Sequence, residues 1–431
     1  MEQRIMELKK LETMPVEEKE RYYNQQLQHV IQYAYQNAPP VKEKLDSAGI
    51  APAQIRTIKD LEMIPVTKKE EIVDLQKKYP PFGGYVTKPM EELQWVHISP
   101  GPIYTPIINL EAIIEGAASA LGDIGFGKGD IVINTTGYHL VVAGLGLDLA
   151  LRIMGATVIP SGPGNTELQI EIMRHMKVTG FGGFVRFLLT IMEKAEELGY
   201  DFRRDFALRH AVVLGEIGVD FPSIRKRIEE KYGVNLMQLY GTADLGLVAL
   251  ECGQKSGMHL VEGLVAEFVD PLTGKRAQPG EPGELVATIL HETYPLIRLA
   301  TGDLVRWTDE PCPCGRTSPR LMEILGRVGE VTKVKGMFLW IREVEQVVAK
   351  FPQISKSQVV LSHDSRGRDV LTLRLELVEE SIGTEKLSQD FGAAFQGICR
   401  LRLDKVEFVT KGAFPEGYQK LVDERGIRKW E

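Results

Sequence analysis

The sequence predicts an α/β protein with a large amino-terminal domain and a small α+β domain at its carboxyl end. From about residue 110 to 240, short apolar runs alternate with helical segments, the pattern of βαβ units in a mainly parallel sheet. Residues 264–289 hold two alternating runs joined by DPLTGKRAQPGEPGE, which reads as an antiparallel hairpin with a long loop. After Gly326 the pattern changes to a short Lys-rich strand, a helix over 341–350 and strands at 358–362 and 370–377. The expected domains are therefore 1–325, with a helical lead-in over 1–80, and 326–431.

Taken in order, the lead-in carries Leu27, Val30, Ile31 and Ala34 at helical spacing over 17–38, ended by Ala38-Pro39-Pro40. A second helical piece over 68–78 precedes the YPPFGG break. Strands are expected at 131–134, 157–160, 180–184, 211–214 and 236–239. The most apolar window, 140–159, is interrupted by Asp148, Arg152 and several glycines, so it reads as a buried helix entering a strand. A helix over 222–232 has Pro222 in its first turn and Gly233 just beyond its end.

With 43% hydrophobic and 26% charged residues this is an ordinary globular composition. A net charge of −7 and the lack of any long Lys/Arg run argue against nucleic acid as a partner. The start, MEQRIMELKK, lacks the apolar core of a signal peptide, and no segment reads as a membrane span. Four cysteines in 431 residues are not a disulfide framework, so a reducing cytoplasm is the expected location. A homodimer is left open.

Two constellations carry chemistry. Cys252 and His259 are separated by six residues, and Cys312 and Cys314 by one. Three thiolates and an imidazole are a donor set for tetrahedral zinc with no open position, a structural staple rather than a Lewis acid. The alternative is three reduced loop cysteines and an unrelated histidine; Cys399 reads as a small buried hydrophobe. The second constellation is Tyr240-Gly241-Thr242-Ala243-Asp244, which follows the 236–239 strand and so falls at the carboxyl end of a sheet, where open α/β folds bind ligands. Tyrosine offers a ring face, a hydroxyl can meet phosphate, and a carboxylate can hold Mg2+. Gly215-Glu216 at the preceding strand end and Asp303 in a TGDL turn would line the same nucleotide pocket. On its own residues, Asp303 reads better as a turn-capping Asp before a strand.

The lead-in LETMPVEEKERYYNQQLQHVIQYAYQNAPPVKEKL, GATVIPSGPGNTELQIEIM, YGTADLG, ALEC ending at Cys252, GELVATIL, PLIRLATGDL, PCPCGRTSPR and ILGR together resemble the phenylacetate–CoA ligases of the adenylate-forming acyl-CoA synthetase superfamily, nearly end to end. The resemblance implies a large adenylate-forming domain and a small mobile domain. It also implies a two-step reaction in which a small carboxylic acid and ATP give an acyl-adenylate, and CoA then displaces AMP. On that basis Gly215, Glu216, Tyr240, Gly241 and Thr242 surround adenine and the α-phosphate, Asp303 holds the ribose and Arg327 approaches ribose and phosphate. Asp244 takes the place of the family's magnesium-binding Glu. The acyl pocket is expected near Tyr138-His139, Gly144-Leu145-Gly146 and 215–217.

Several positions depart from the family. The phosphate loop, elsewhere rich in Ser, Thr and Gly, is HISPGPIYTP; Ser99 and Thr105 remain, while Pro100, Pro102 and Pro106 each remove a backbone donor. The lysine of the EGK motif is Tyr418, with Lys420 two residues on, and the hinge position is Gly329. Two readings follow. One is an acyl-CoA ligase whose adenylation machinery is rearranged, with Lys333, Lys335 or Lys420 supplying positive charge. The other is a member that binds nucleotide, CoA or acyl group without adenylating, or transfers AMP to a non-carboxylate acceptor as the similar coenzyme F390 synthetases do.

Overall fold

The structure, a computed structural model, describes all residues except 1, 100–101, 108–120, 123–124, 215–220, 272, 336, 365–367, 380–383 and 426–431. The chain falls into two compact units, Met1–Leu325 and Gly326–Glu431.

In the larger unit an eleven-stranded sheet runs in the order β10-β11-β12-β13-β9-β8-β7-β6-β5-β3-β4. Its strands are β3 (Ile131–Asn134), β4 (Thr157–Pro160), β5 (Gly180–Phe184), β6 (His210–Leu214), β7 (Asn235–Thr242), β8 (Gly246–Glu251), β9 (Met258–Leu260), β10 (Leu264–Val269), β11 (Pro282–Ile289), β12 (Leu299–Thr308) and β13 (Arg320–Arg327). Strands β4, β3, β5, β6 and β7 are parallel; β7–β8, β8–β9 and the β10–β11–β12 meander are antiparallel. Alternate residues of the parallel strands go to opposite faces. Ile133, Phe181, Ala211 and Val213 join one buried cluster with Ile170, Leu188 and Met192 from the helices Thr166–His175 and Val185–Glu197. Val132, Val212 and Met237 join another with Leu151 of the helix Val142–Ile153. Burial on both faces is why these strands are nearly continuous apolar runs rather than alternating ones.

The lead-in folds as α1 (Glu2–Glu12), α2 (Val16–Asn37), α3 (Pro39–Ser47) and α4 (Lys69–Lys78). Leu27, Ile31 and Ala34 of α2 are fully buried against Leu296, Ile297 and Leu299, so the lead-in is part of the unit's core. Between α3 and α4, Thr67 bridges Leu299 in parallel: its N–H donates to Arg298 O at 2.8 Å and its carbonyl accepts from Ala300 N at 2.8 Å. Arg298, 2% exposed, pins the same crossing with Nε donating to Glu267 at 2.9 Å and Nη1 to Ile64 O at 2.5 Å. This anchoring fixes where α4 begins.

Three local expectations change. The 222–232 helix is α-helical over Phe221–Lys226 and π-helical over Arg227–Tyr232, closed by Gly233 at φ +73°. Tyr240-Gly241-Thr242 is not a turn after a strand but the end of β7, paired with β8 as Tyr240↔Ala249 and Thr242↔Gly246. A Cβ at Gly241 would lie 2.5 Å from Gly246 O, so glycine is needed for the close strand approach. Asp303 likewise lies inside β12, not in a turn: Glu284 pairs with Leu304 but Val286 with Ala300, so residues 301–303 form a bulge, with Gly302 at φ +75°.

The smaller unit has a four-stranded sheet in the order β18 (Lys405–Val409), β17 (Asp369–Leu377), β16 (Ile354–His363), β19 (Leu421–Asp423) and a hairpin of β14 (Val331–Val334) with β15 (Met337–Trp340). Its core joins Leu361, Leu373 and Leu375 to Val344 and Val347 of the helix Ile341–Val348 and Phe391 and Phe395 of the helix Thr384–Cys399. No helix among the described residues is long and apolar enough to cross a membrane.

Candidate functional site

The bulge in β12 and the end of β7 bring Asp303 to Tyr240. The phenol donates to Asp303 Oδ2 at 2.6 Å, and both residues are nearly inaccessible, 5% and 3% exposed. Thr301 Oγ1 accepts from Asp303 N at 3.1 Å and donates to Leu285 O at 2.9 Å, which fixes the bulge. Burial raises the carboxyl of neighbouring Glu284, so this corner of the sheet disfavours a second carboxylate charge beside Asp303.

Beside Tyr240 the chain opens into an apolar cavity of about 360 Å³. Its walls include Val142, Leu147, Phe184, Leu214 and Met237, and its rim includes Gly241, Thr242 and Ala243. Of the residues expected to shape an acyl pocket, Gly146 lines it. Tyr138 instead closes a network, accepting from Asn134 Nδ2 at 2.9 Å and donating to Asp148 Oδ2 at 3.0 Å. Gly215 and Glu216 lie outside the described residues.

The expected phosphate loop is a hairpin of β1 (Trp95–Ser99) and β2 (Ile103–Ile107), antiparallel with His97 opposite Thr105 and Ser99 opposite Ile103. Because strand side chains alternate, His97, Ser99 and Thr105 share one face, and all three are at most 7% exposed. Thr105 Oγ1 and His97 Nε2 have no hydrogen-bond partner among the described residues. Ser99 Oγ donates to Asp244 Oδ1 at 3.4 Å. The other Asp244 oxygen lies 2.7 Å from Lys69 Nζ, a close charge pair that lacks the alignment of a hydrogen bond.

Sequence reasoning missed Lys69. It opens α4 immediately after the Thr67 crossing, and Gln76 of the same helix clamps the hairpin, its Nε2 donating to Tyr104 O at 2.8 Å and its Oε1 accepting from Tyr104 N at 2.9 Å. A helix start is legible from the residues, but its meeting with Asp244 depends on a tertiary crossing with no local signal. The lysines expected to supply charge are otherwise engaged or outside the described side chains. Lys335 pairs with Asp404 at 2.6 Å and Lys420 with Glu345 at 2.5 Å, while the Lys333 side chain is not among those described. Tyr418 faces inward, donating to Ser357 O at 3.0 Å and stacking on Phe414 at 4.7 Å. Arg327 is exposed at the end of β13, before a turn in which Glu330 N donates to its carbonyl at 2.9 Å, with Gly329 at φ +95°.

Cys252, His259, Cys312 and Cys314 come together, their ligand atoms all within 4.8 Å. Cys252 follows β8, His259 sits in β9 opposite Arg320 of β13, and the 309–319 loop returns both remaining thiols. Cys252 and Cys312 sulfurs are 3.8 Å apart, and Cys314 Sγ is 3.3 Å from His259 Nε2. Tetrahedral zinc with Zn–S bonds of about 2.3 Å requires S···S edges of roughly 3.8 Å, so the donor set fits that ion. Burial pushes the Cys252 thiol up to about 11 and the His259 imidazole down to about 4, so the imidazole is in its ligating neutral form while the thiol needs a nearby cation to ionise.

A scan against protein-family models finds no match. The chain is 32% identical over 406 residues to the phenylacetate-coenzyme A ligase of Thermus thermophilus, covering 91% of this chain and 89% of that protein. It is 29% identical over 387 residues to the phenylacetate-coenzyme A ligase of Escherichia coli K12, covering 86% and 85%. Among solved structures, an open conformation of 2-hydroxyisobutyryl-CoA ligase in complex with 2-HIB-AMP and CoA superposes with a TM-score of 0.81 at 28% identity, covering 96% of this chain and 94% of that one. The same ligase in its thioesterification state superposes with a TM-score of 0.72. The fold is thus that of the adenylate-forming acyl-CoA ligases, and with nearly its whole length matched the chain belongs to the phenylacetate-coenzyme A ligase family.

Proposed function

We propose that this protein is an AMP-forming acyl-CoA ligase that activates a small, largely apolar carboxylic acid and passes it to CoA. The observation that carries the reading is that Gly241 and Thr242, at the end of β7, both rim the apolar cavity and adjoin the Tyr240–Asp303 pair. An organic tail in the cavity and a ribose at Asp303 would then meet at one strand end. The carboxylate oxygen attacks the α-phosphorus of ATP and pyrophosphate leaves; the CoA sulfur then attacks the acyl carbon and AMP leaves. Tyr240 orients Asp303, Asp303 accepts from the ribose hydroxyls, and Thr242 holds the acyl-phosphate end. Arg327 is assigned to ribose–phosphate contact by family resemblance; Lys420, two residues beyond the EGK lysine position held by Tyr418, stands in for that lysine only with a shift of its loop.

The zinc assignment rests on the fit of Cys252, His259, Cys312 and Cys314 to a closed tetrahedral set, tying the end of β8 to the loop after β12. Magnesium fits less well: the Asp244 oxygens already face Lys69 and Ser99, an arrangement suited to an ammonium more than to an octahedral dication, so no step is assigned to it.

A second reading, nucleotide binding without adenylation, is favoured by one observation: the EGK lysine position holds Tyr418, whose hydroxyl is committed to Ser357. Incubation with ATP, magnesium, CoA and a panel of aryl and short-chain acids decides between them. Pyrophosphate release that depends on one class of acid supports the ligase; AMP or CoA binding with no release for any acid supports the second reading.

A further inference from the structure

We propose that the acid this protein activates carries a hydrocarbon tail about the size of two fused aromatic rings, and that Gly146 keeps the cavity open to it. The proposal rests on the ligase reading for the role of the acid; the size and chemistry of the cavity stand by themselves.

The first observation is volume. A buried apolar cavity of about 150 Å³ holds one benzene. The cavity beside β7 has about 360 Å³, so a single ring would leave more than half of it empty and forfeit the contacts of its far wall. Its length agrees. Met237, Leu239 and Gly241 present one face of β7 to it, four residues from floor to rim, which is about 13 Å at the usual rise of a strand. Met237 marks the floor, packed with Val212 and Leu151 in a buried cluster.

The second is the chemistry of the lining. Thr136 Oγ1 donates to Asn134 Oδ1 at 2.6 Å, and Thr242 Oγ1, at the rim, accepts from Leu245 N at 3.1 Å. Gln238 and Glu251 border the cavity, but strand alternation sends their side chains to the opposite face, where Arg225 holds both Glu251 oxygens at 2.6 Å. Among the described residues, then, a hydroxyl deep on the tail would be buried without a side-chain partner. The third is Gly146, inside the helix Val142–Ile153, where glycine is a poorer helix former than alanine. Among the described residues a Cβ there would meet only Val142 Cγ2, at 3.7 Å, an ordinary contact. At Gly144, by contrast, a Cβ would lie 2.5 Å from Gly137 O, so packing demands glycine. Packing makes no such demand at 146, where the missing side chain widens the cavity instead.

The test is pyrophosphate release with phenylacetate, 2-naphthylacetate and 6-hydroxy-2-naphthylacetate, in the presence of ATP, magnesium and CoA. The kcat/KM for 2-naphthylacetate is expected to exceed that for phenylacetate by about tenfold or more, the scale on which added carbons count in an apolar pocket. The distal hydroxyl should cost about tenfold. Gly146→Leu builds out the helix wall and should lower the naphthyl-to-phenyl ratio by about tenfold or more. Gly146→Ala, the better helix former, should lower it in the same direction by less, and guards against a folding defect in the larger variant. Preference for phenylacetate by the wild type, or a ratio that neither variant changes, would overturn the assignment. If no acid releases pyrophosphate, the ligase reading fails by itself, and equilibrium dialysis of the same acids decides the cavity's ligand. Tighter binding of 2-naphthylacetate than of phenylacetate, weakened in Gly146→Ala, then supports the assignment; equal or weaker binding overturns it.

Discussion

The Tyr240 hydroxyl and Asp303 Oδ2 are 2.6 Å apart and buried, so a residue at the end of β7 holds the carboxylate of a bulge in β12 across the sheet. A hydroxyl donating to a charged acceptor contributes about 1.5–3 kcal/mol. Tyr240→Phe keeps the ring and loses that bond. The expected result is a rise of roughly tenfold or more in KM for ATP, as a bond of that size implies. The KM for the acid should be nearly unchanged, and steady-state kinetics with each substrate varied in turn reads the split. An equal rise in both would place Tyr240 in general packing instead.

The apolar cavity makes a separate prediction about the acid. Leu214, at the end of β6, lines it together with Phe184 and Met237. Leu214→Phe adds bulk to a wall that also contains the fixed strand ends, so the loss should be selective: bulky aryl acids turn over far more slowly while two- to four-carbon acids, estimated at about that size, retain activity. Competition between a short and an aromatic acid for pyrophosphate release measures the change in preference directly.

Much of the scaffold could be read from residue patterns, for reasons that particular elements make plain. Residues 131–134 and 180–184 are strands as expected because apolar runs bounded by turn residues suit a sheet buried on both faces, while 157–160 is a strand at the sheet's edge with its side chains partly exposed. The grouping of Cys252, His259, Cys312 and Cys314 was legible because donor type is a local property, and the fold brings their ligand atoms within 4.8 Å of one another. What was not legible depends on crossings. The Asp303 bulge is a register shift between two strands, and Gly302 alone looks like a turn residue. The Lys69–Asp244 pair joins residues 175 positions apart through the buried Arg298–Ile64 crossing. Lys420 and Tyr418 were read from a motif position, which is blind to Glu345 and Ser357 as their actual partners.

Removal of one thiolate tests the metal assignment. Purified protein should contain about one zinc per chain, and Cys312→Ser should lose most of it because three donors bind zinc far more weakly than four. The consequence for stability should be local to the larger unit. Arg316 Nε donates to Glu12 at 3.1 Å and Thr317 N to Glu12 O at 3.0 Å, so the loop that carries Cys312 and Cys314 also holds the end of α1. Metal loss is expected to expose that helix to limited proteolysis before the sheet unfolds. Less than about half an equivalent of zinc in metal-replete wild-type protein would argue against a four-ligand site.

Asp130 gives the pH dependence of the scaffold a specific origin. Burial works to raise its carboxyl, yet Thr179 Oγ1 at 2.7 Å, Gly127 N at 2.9 Å and Arg209 Nη2 at 2.8 Å outweigh that and hold it below the usual range. A carboxyl depressed in the folded state binds fewer protons there than in the unfolded chain. Its contribution is therefore complete above the unfolded pKa of about 3.9 and is lost as pH falls through the lower folded value. Arg209 is 61% exposed at its side chain, so most of the effect belongs to the hydroxyl and backbone donors rather than to the ion pair. Asp130→Asn should cost about 1–3 kcal/mol at pH 7, because the amide cannot accept all three bonds and still satisfy its own N–H groups. Urea unfolding at pH 7 and at pH 3 should show the wild-type advantage shrinking at the acid end. A difference that is the same at both values would assign the loss to packing, since only a titrating carboxylate makes it vanish in acid.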